Sequence, residues 1–291
     1  MLPASITNYA ARVYIDLRSF IPIVYARFGR TKQRSYAEVA DNDPTWGIHY
    51  CPTTAYYGCQ ANDIIKTNYT RVFSTLAPQD GLFVSLHEFG HGYQYYAVEP
   101  WATGSNGCSD ESHGWTETEN IGCAMVEGFA DFIAMLGAGT VIVTSPYGGD
   151  HGLENNLDAS GQATNPPAAG DGVRVEAAVA AFLYDMVDGE SEPDGPTNQP
   201  GPSEQFDSLS ASAGWLLDIM KYCRLNGQPL QLSGPDQLVY CIEGSTSAYS
   251  VASTYSAAWR SYTSVSYKQS LPSYSQSLIR KLWKYNMYGV Q

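Results

Sequence analysis

Three residues in the segment VSLHEFGHGYQYYA (84–97) have types and a spacing suited to hydrolysis with zinc: His87, Glu88 and His91. If this segment is helical, His87 and His91 lie on one face and can present two imidazole nitrogens to a single ion. Glu88 follows at the border of that face, where its carboxylate can hold a water molecule without binding the metal. A bound zinc ion lowers the pKa of its water, and a nearby carboxylate takes the proton. The pattern therefore predicts a zinc site that activates water.

A catalytic zinc needs a third protein ligand and an open fourth position. The motif does not continue as H-E-x-x-H-x-x-G-x-x-H, because Gln94 stands at the glycine position and Ala97 at the histidine position. The segment CAMVEGFADFIAML instead carries Glu127 and Asp131 on one face of an otherwise apolar predicted helix. Carboxylates in such a helix are unfavourable without partners. A metal ion and the second ring nitrogen of a ligating histidine would supply those partners, which makes this helix the favoured source of the third ligand.

The loop between the two predicted helices holds three alternative ligands, His113, Glu117 and Glu119. His113, in ESHGW, can reach a metal if its loop folds toward the histidine pair, and otherwise it is a surface or substrate-loop histidine. A ligand on a loop lacks the rigidity that a helix gives. These three residues are therefore the less favoured choice.

The pair of motifs HEFGH and EGFAD resembles the gluzincin metallopeptidases, the thermolysin-like enzymes, whose pattern is H-E-x-x-H followed by E-x-x-x-D on a later helix. The resemblance implies that His87, His91 and Glu127 bind Zn²⁺. It also implies that Glu88 is the general base and that Asp131 orients His87 through its second ring nitrogen.

A further donor normally stabilises the oxyanion in this chemistry. In gluzincins that donor is a downstream His or Tyr, but the resemblance covers only residues 80–137. His151, in YGGDHG, stands closer to Glu127 than the thermolysin pattern would place such a residue. Arg174 and Tyr184 are the other candidates, and Arg174 is alternatively an ordinary ion-pair partner. We predict catalytic roles for His151 and Arg174.

The helices that must position these residues are predicted from the apolar periodicity and from the capping and helix-breaking residues that bound it. The active-site helix is predicted over about 80–98, with Asp80 as its N-cap. The N-terminal stretch YAARVYIDLRSFIPIVYARF is predicted as a helix that breaks at Pro22 and continues as a strand. Three further helices are predicted in the segments ENIGCAMVEGFADFIAMLGAG, VRVEAAVAAFLYDMVDG and SAGWLLDIMKYCRLNG.

Residues 46–75 are rich in β-branched and aromatic residues, which indicates strands. An edge strand can bind an extended peptide through main-chain hydrogen bonds. The stretches TTAYYG and NDIIKTNYT are the candidates for such an edge, and the alternative is an ordinary buried strand.

Together, the pattern and the resemblance predict an α+β fold of the thermolysin-like zincin type. A β-rich N-terminal lobe, residues 1–140, carries the HEFGH and EGFAD helices. A mostly helical C-terminal lobe, residues 141–291, closes the cleft.

The composition indicates an extracellular protein. The formal net charge of −13 argues against binding to nucleic acid or an anionic membrane surface. Charged residues make up only 15% of the chain, a composition common in secreted proteins. No run of about 18 apolar residues predicts a membrane span. The N-terminal sequence does not have the features of a signal peptide, so a secreted protein would have lost its signal or begun upstream.

An even number of cysteines suits disulfides in an oxidising compartment. The six cysteines form three sequence-local pairs, and we predict pairing between neighbours: Cys51–Cys59, Cys108–Cys123 and Cys223–Cys241.

The loop DGESEPDG clusters four carboxylates that Ca²⁺ could bind, but a solvated acidic turn is the favoured interpretation because the EF-hand pattern is absent. These carboxylates belong to Asp188, Glu190, Glu192 and Asp194.

These features predict a secreted zinc-dependent metalloendopeptidase whose partner is a protein or peptide substrate. Two alternatives stay open. One is a secreted zinc hydrolase that acts on a non-peptide amide or ester. The other is a non-enzymatic binding module that keeps a metal for stability. The sequence does not indicate an oligomeric state.

Overall fold

Fifteen segments of the chain are described by the computed structural model: residues 9–28, 36–40, 48–51, 64–68, 78–98, 118–138, 142–144, 150–152, 157–158, 172–187, 213–226, 228–229, 232, 234–243 and 249–251. Within them the chain forms six α-helices: α1 (Tyr9–Phe28), α2 (Pro78–Val98), α3 (Ile121–Ala138), α4 (Glu176–Asp185), α5 (Ala213–Tyr222) and α6 (Pro235–Glu243). A short 3-10 helix, Gly172–Arg174, precedes α4.

The helix that carries HEFGH, α2, runs over Pro78–Val98, so the prediction of a helix over about 80–98 is confirmed. Proline suits the first helical position, because its missing N–H would have no partner there. Asp80 accordingly lies inside the first turn and is not the N-cap.

The N-terminal helix α1 continues through Pro22, so the predicted break and the strand after it are wrong. Leu17, Val24 and Phe28 are buried at helical spacing along one face, whereas Pro22 is exposed. Packing of this apolar face outweighs the hydrogen bond that the proline removes.

The EGFAD helix, α3, is the centre of the core. Fifteen of its 18 residues are buried, and it packs against α1, α2 and α4. By length and composition α3 could cross a membrane, but 83% of it is buried inside the protein. It therefore has the character of a buried core helix, apolar nearly all round.

Nine short strands form three sheets of three strands each among the described residues. The strands are β1 (Tyr36–Ala40), β2 (Ile48–Cys51), β3 (Ile64–Asn68), β4 (Ile142–Thr144), β5 (Asp150–Gly152), β6 (Leu157–Asp158), β7 (Cys223–Leu225), β8 (Gln228–Pro229) and β9 (Tyr249–Val251). Their orders are β1-β3-β2, β4-β5-β6 and β8-β7-β9. β3 runs parallel to β1 and antiparallel to β2, with Tyr36 opposite Ile64 and Ile48 opposite Thr67. All pairs in the other two sheets are antiparallel.

β3 is the central strand of its sheet, and this position tests the predicted peptide-binding edge. NDIIKTNYT contains β3, whose main chain is paired on both sides, so this stretch is not an edge strand. The other candidate, TTAYYG, lies outside the described residues.

The predicted α+β fold with a β-rich N-terminal lobe is wrong, because the described core is helical. Among the described residues up to 140, the helices have 20, 21 and 18 residues, whereas the three strands have five, four and five. Nearly all buried apolar side chains in the described segments belong to helices. Of residues 46–75, the described ones form β2 and β3, while the long apolar runs with helical period form the described core. The mostly helical C-terminal part agrees with its prediction.

The division into lobes at residue 140 stays a prediction. α4, from the second predicted lobe, packs directly on α3 from the first.

One predicted disulfide is confirmed, that between Cys223 and Cys241, whose Cα atoms lie 5.8 Å apart. It ties β7 to α6 across 18 residues. Cys123 is also disulfide-bonded. Its predicted partner Cys108, like the predicted pair Cys51–Cys59, lies outside the described side chains.

Candidate metal centre

The two helices that carry the predicted ligands, α2 and α3, pack antiparallel. His91 pairs with Glu127, His87 with Asp131, and the Leu86 side chain lies beside Gly137. Later turns of α2 therefore contact earlier turns of α3. This register brings the histidine face of α2 against the carboxylate face of α3.

The close approach of the two helices depends on Gly90, the glycine within HEFGH. A Cβ atom at this position would lie 2.8 Å from the Ala130 Cα and 2.9 Å from the Ala130 carbonyl oxygen. Glycine in a helix interior is about 1 kcal/mol less favourable than alanine. Its presence here is explained by packing, because any larger residue would push α2 away from the carboxylates of α3.

Gly90→Ala is therefore expected to destabilise the protein by about 1–3 kcal/mol, as overpacking does, and to weaken metal binding. The clash involves backbone atoms, which cannot rotate away. Gly137→Ala is the matched control, because a Cβ there meets only side-chain atoms of Val24 and Leu86, at 3.1 and 3.2 Å. Thermal melting and zinc titration of both variants test this. Equal effects of the two substitutions would contradict the explanation.

The N-terminal end of α3 is fixed by Asn120. The Asn120 side-chain oxygen accepts a hydrogen bond from the Gly122 N–H at 2.8 Å, and its carbonyl oxygen accepts one from the Ala124 N–H at 2.9 Å. Asparagine is among the best residues for this N-cap position.

The residue before this cap is held by Arg174. The Glu119 N–H donates to the Arg174 carbonyl at 2.7 Å, and the Arg174 Nε donates to the Glu119 carbonyl at 2.6 Å. The two contacts join the start of α3 to the turn that precedes α4. α4 in turn packs closely on Gly128, where a Cβ would lie 2.6 Å from the Glu176 carbonyl oxygen. The position of α3, which bears Glu127 and Asp131, is thus fixed by hydrogen bonds to Arg174 just before its start and by the packing of α4 on Gly128.

Three side-chain atoms converge between α2 and α3. His87 Nε2 lies 3.0 Å from Glu127 Oε2, His91 Nε2 lies 3.1 Å from the same oxygen, and the two Nε2 atoms are 3.1 Å apart. The side chains are 11%, 14% and 8% exposed for His87, His91 and Glu127. His87, His91 and Glu127 form a candidate metal-binding triad.

The dimensions of this triangle fit a zinc ion. Ligand atoms about 2.0–2.1 Å from a tetrahedral zinc lie roughly 3.3 Å from one another. The three separations in the triad, 3.0, 3.1 and 3.1 Å, approach that value and are nearly equal. Two imidazoles and one carboxylate leave one of four positions for water, as in catalytic zinc sites. The residues present therefore fit a catalytic zinc.

Asp131 fixes the orientation of the His87 ring. Its Oδ1 lies 2.6 Å from His87 Nδ1, and its side chain is completely buried. A carboxylate at Nδ1 keeps that nitrogen protonated and leaves Nε2 free to face the triad centre. This contact is the one that the family resemblance requires of Asp131, and its orienting role stays a prediction.

Charge pairing shifts the pKa values of the triad. Burial by itself would lower the His87 pKa, but the Asp131 charge and hydrogen bonds to Asp131 and Glu127 hold that pKa well above 6.5. Burial would raise the Glu127 pKa, but the His91 charge, with hydrogen bonds to both histidines, holds it well below 4.5. Both shifts favour the charged pair in the metal-free site, a protonated His87 beside an ionised Glu127.

Zinc binding at pH 7 is consequently expected to release about one proton, because the metal takes the Nε2 lone pair of His87. The apparent zinc affinity should rise as pH increases from 6.5 toward the raised His87 pKa. Over the same pH range the metal-free protein loses the stability that protonated His87 contributes. A group whose pKa is raised by folding stabilises the fold only at pH values below that raised pKa. Calorimetric titration in two buffers of different ionisation enthalpy measures the release. Asp131→Asn should reduce it, and equal release by both proteins would contradict this account.

The predicted catalytic residues have different positions in the structure. Glu88, next to His87 on α2, is 9% exposed. Arg174 is exposed and binds the Glu119 carbonyl through Nε, so it acts at least as a structural link. The third oxyanion candidate, Tyr184, is partly buried on α4. His151 belongs to β5, opposite Val143 and Asp158, and its side chain lies outside the described residues. The catalytic roles of these residues stay predictions.

Among the alternative ligands, only Glu119 is described. It is buried just before α3, and within the described segments the triad does not include it. His113 and Glu117 lie outside the described residues, as do all four carboxylates of the suggested calcium loop.

Two features of the site were missed from sequence. Gly90 has no predicted role, although a glycine between two ligands four apart is a signal for close helix packing. Gln94 excludes the longer histidine motif, but it has no predicted role of its own. Its spacing of three from His91 and seven from His87 puts it on the ligand face, and its side chain is buried.

Comparison with known proteins gives one match. The family model described as the mycolysin C-terminal domain matches residues 46–210, which is more than half of the chain. The matched region contains α2, α3 and α4 and associates the chain with the thermolysin/mycolysin-type peptidases. No curated protein and no solved structure matches the chain significantly.

Proposed function

Because the chain belongs to the family of the mycolysin C-terminal domain, we propose that it is a zinc-dependent metalloendopeptidase of the gluzincin type. The family relates the chain to peptidases, and the catalytic role is our inference from the site. The observation that carries it is the triangle of His87 Nε2, His91 Nε2 and Glu127 Oε2, with sides of 3.0–3.1 Å. Three lone-pair donors that face one centre repel one another unless a cation or proton lies between them.

The side chains divide the work of peptide hydrolysis. His87, His91 and Glu127 would hold Zn²⁺, and Asp131 would keep the His87 ring in place. When bound, zinc would polarise the scissile carbonyl and lower the pKa of the attacking water. Glu88 would take the proton of that water and later deliver it to the leaving amine.

A secreted location accompanies this proposal. The disulfide between Cys223 and Cys241 suits an oxidising compartment. The net charge of −13 suits a protein that binds neither nucleic acid nor anionic membranes. The expected partner is an unfolded protein or an extended peptide.

Metal removal tests the proposed function. A chelator is expected to abolish hydrolysis of a fluorogenic peptide, and added Zn²⁺ should restore it, while circular dichroism shows the helical fold throughout. The fold should persist because α3 is anchored by apolar packing on three helices. Undiminished hydrolysis without metal would refute the proposal.

The same experiment separates the two alternatives. A structural metal would cause unfolding on removal, because folding and binding are then coupled. A zinc hydrolase for esters or non-peptide amides would lose activity on such substrates but would never cleave peptides. Parallel assays with peptide and ester substrates distinguish these outcomes.

A further inference from the structure

Gln94 lies on the same face of α2 as the two histidines, one turn beyond His91. Residues at spacings of four and seven form one stripe along a helix. The Cβ atoms of residues three apart are about 5–6 Å from each other. Side chains also tilt toward the N-terminus of their helix, which here is the direction of His91. This spacing therefore places Gln94 on the stripe of α2 that carries the two candidate ligands, next to a molecule that would bind at the triad.

The Gln94 amide is buried but not satisfied. The residue is 2% exposed, and its Nε2 has no hydrogen-bond partner in the described structure. A buried donor without an acceptor is less stable than an apolar side chain of the same shape. Such a group is typical of sites where function is maintained at the expense of stability.

We propose that Gln94 positions the substrate, with its Nε2 donating a hydrogen bond to a main-chain carbonyl oxygen of the bound peptide. The inference rests on the peptidase function proposed above. Gln94 lies about 4.5 Å beyond His91 along the helix axis. An extended peptide advances about 3.3 Å per residue, so a carbonyl within one or two residues of the scissile bond meets this amide.

A role in holding the metal is the competing explanation. His87 already has Asp131 at its second ring nitrogen, and Glu127 Oε2 already contacts both histidines. No contact among the described side chains joins Gln94 to the triad. We therefore assign the amide to the substrate, and zinc content becomes a readout that separates the two roles.

The test compares Gln94→Met with Gln94→Glu. Methionine keeps the length of the side chain and removes the donor, whereas glutamate keeps the shape and presents an acceptor to the carbonyl oxygen. Both are made in the wild-type protein and in the Glu88→Gln variant, in which turnover is blocked. The measurements are KM and kcat with a fluorogenic peptide, affinity of zinc-loaded Glu88→Gln for fluorescein-labelled casein, zinc content and the melting temperature.

Gln94→Met is expected to raise KM and weaken casein binding by about three- to tenfold, the effect of one hydrogen bond. kcat and zinc content should stay unchanged, because the bond forms with substrate already in the ground state. The melting temperature should be equal or higher, since Gln94 Nε2 makes no hydrogen bond in the described structure. Gln94→Glu should weaken binding further.

Three results would overturn the inference: unchanged casein affinity, reduced zinc content, or a lower melting temperature of Gln94→Met. Failure of the peptidase proposal looks different, because the wild type would then lack turnover whatever the Gln94 variants do. Casein binding that weakens in Gln94→Met without any wild-type turnover would retain the binding role of Gln94 and remove the catalytic one. Absence of casein binding in zinc-loaded Glu88→Gln would overturn both.

Discussion

Glu88→Gln is expected to lower peptide turnover by about 10²- to 10⁴-fold, the range of general acid–base catalysis, with zinc still bound. Glutamine keeps the size of the side chain and its place beside His87 on α2, but its amide cannot take a proton from water. The three atoms of the triad belong to other residues, so zinc content should remain unchanged. Initial rates with a fluorogenic peptide and zinc content per chain, measured on the same sample, check both parts of this result.

Glu176→Gln is the matched control for this substitution. Glu176 is also a buried glutamate, but it lies on α4 and outside the triad. Its exchange removes the same charge with the same change in shape. Activity within a few-fold of the wild type is expected for Glu176→Gln. Comparable activity in Glu88→Gln would show that the general base is a different residue.

Glu127→Ala is expected to weaken zinc binding strongly. Loss of a ligand's hydrogen-bonding partner weakens it by roughly 10–100-fold, and loss of the ligand itself should weaken it more. This carboxylate contacts both histidines, at 3.0 and 3.1 Å, and is the only acid in the triad. Its removal takes away one ligand and the negative charge that offsets the cation. Activity should fall with zinc occupancy and recover in part at high zinc concentration. Competition with a chromogenic chelator gives the affinity.

Two further variants give comparison values for the loss of zinc affinity in Glu127→Ala. Asp131→Asn should weaken zinc binding by about 10–100-fold, since it alters only the hydrogen bond to His87 Nδ1. Glu119→Gln should leave the affinity unchanged. Full zinc binding by Glu127→Ala would contradict the assignment, and loss of zinc in His113→Ala, Glu117→Gln or Glu119→Gln would then identify the true third ligand.

The site was more predictable from sequence than the fold. H-E-x-x-H fixes two ligands by helical geometry alone, and a buried Glu and Asp four residues apart need partners wherever their helix lies. The antiparallel packing that joins them is not predicted from the sequence; the structure shows it, because His91 meets Glu127 and His87 meets Asp131. This packing produces the 2.6 Å contact between His87 Nδ1 and Asp131 Oδ1.

The fold was predicted less well because local preference does not determine packing. Pro22 indicates a helix break, yet the buried faces on either side of it keep α1 continuous. The β-branched residues of 46–75 indicate strands, and β2 and β3 form, but they do not make a β-rich lobe. The contribution of Gly90 depends on Ala130, 40 residues away. A glycine between two histidines signals close packing, but it does not identify the residue that it packs against.

Anomalous diffraction at the zinc edge from crystals of the zinc-loaded protein tests the central claim most directly. We predict one peak about 2.0–2.2 Å from His87 Nε2, His91 Nε2 and a Glu127 oxygen, with the fourth position facing the cleft and Glu88 not coordinated. A peak bound by four protein groups, a peak ligated by His113 in place of Glu127, or no peak at the triad would contradict the account.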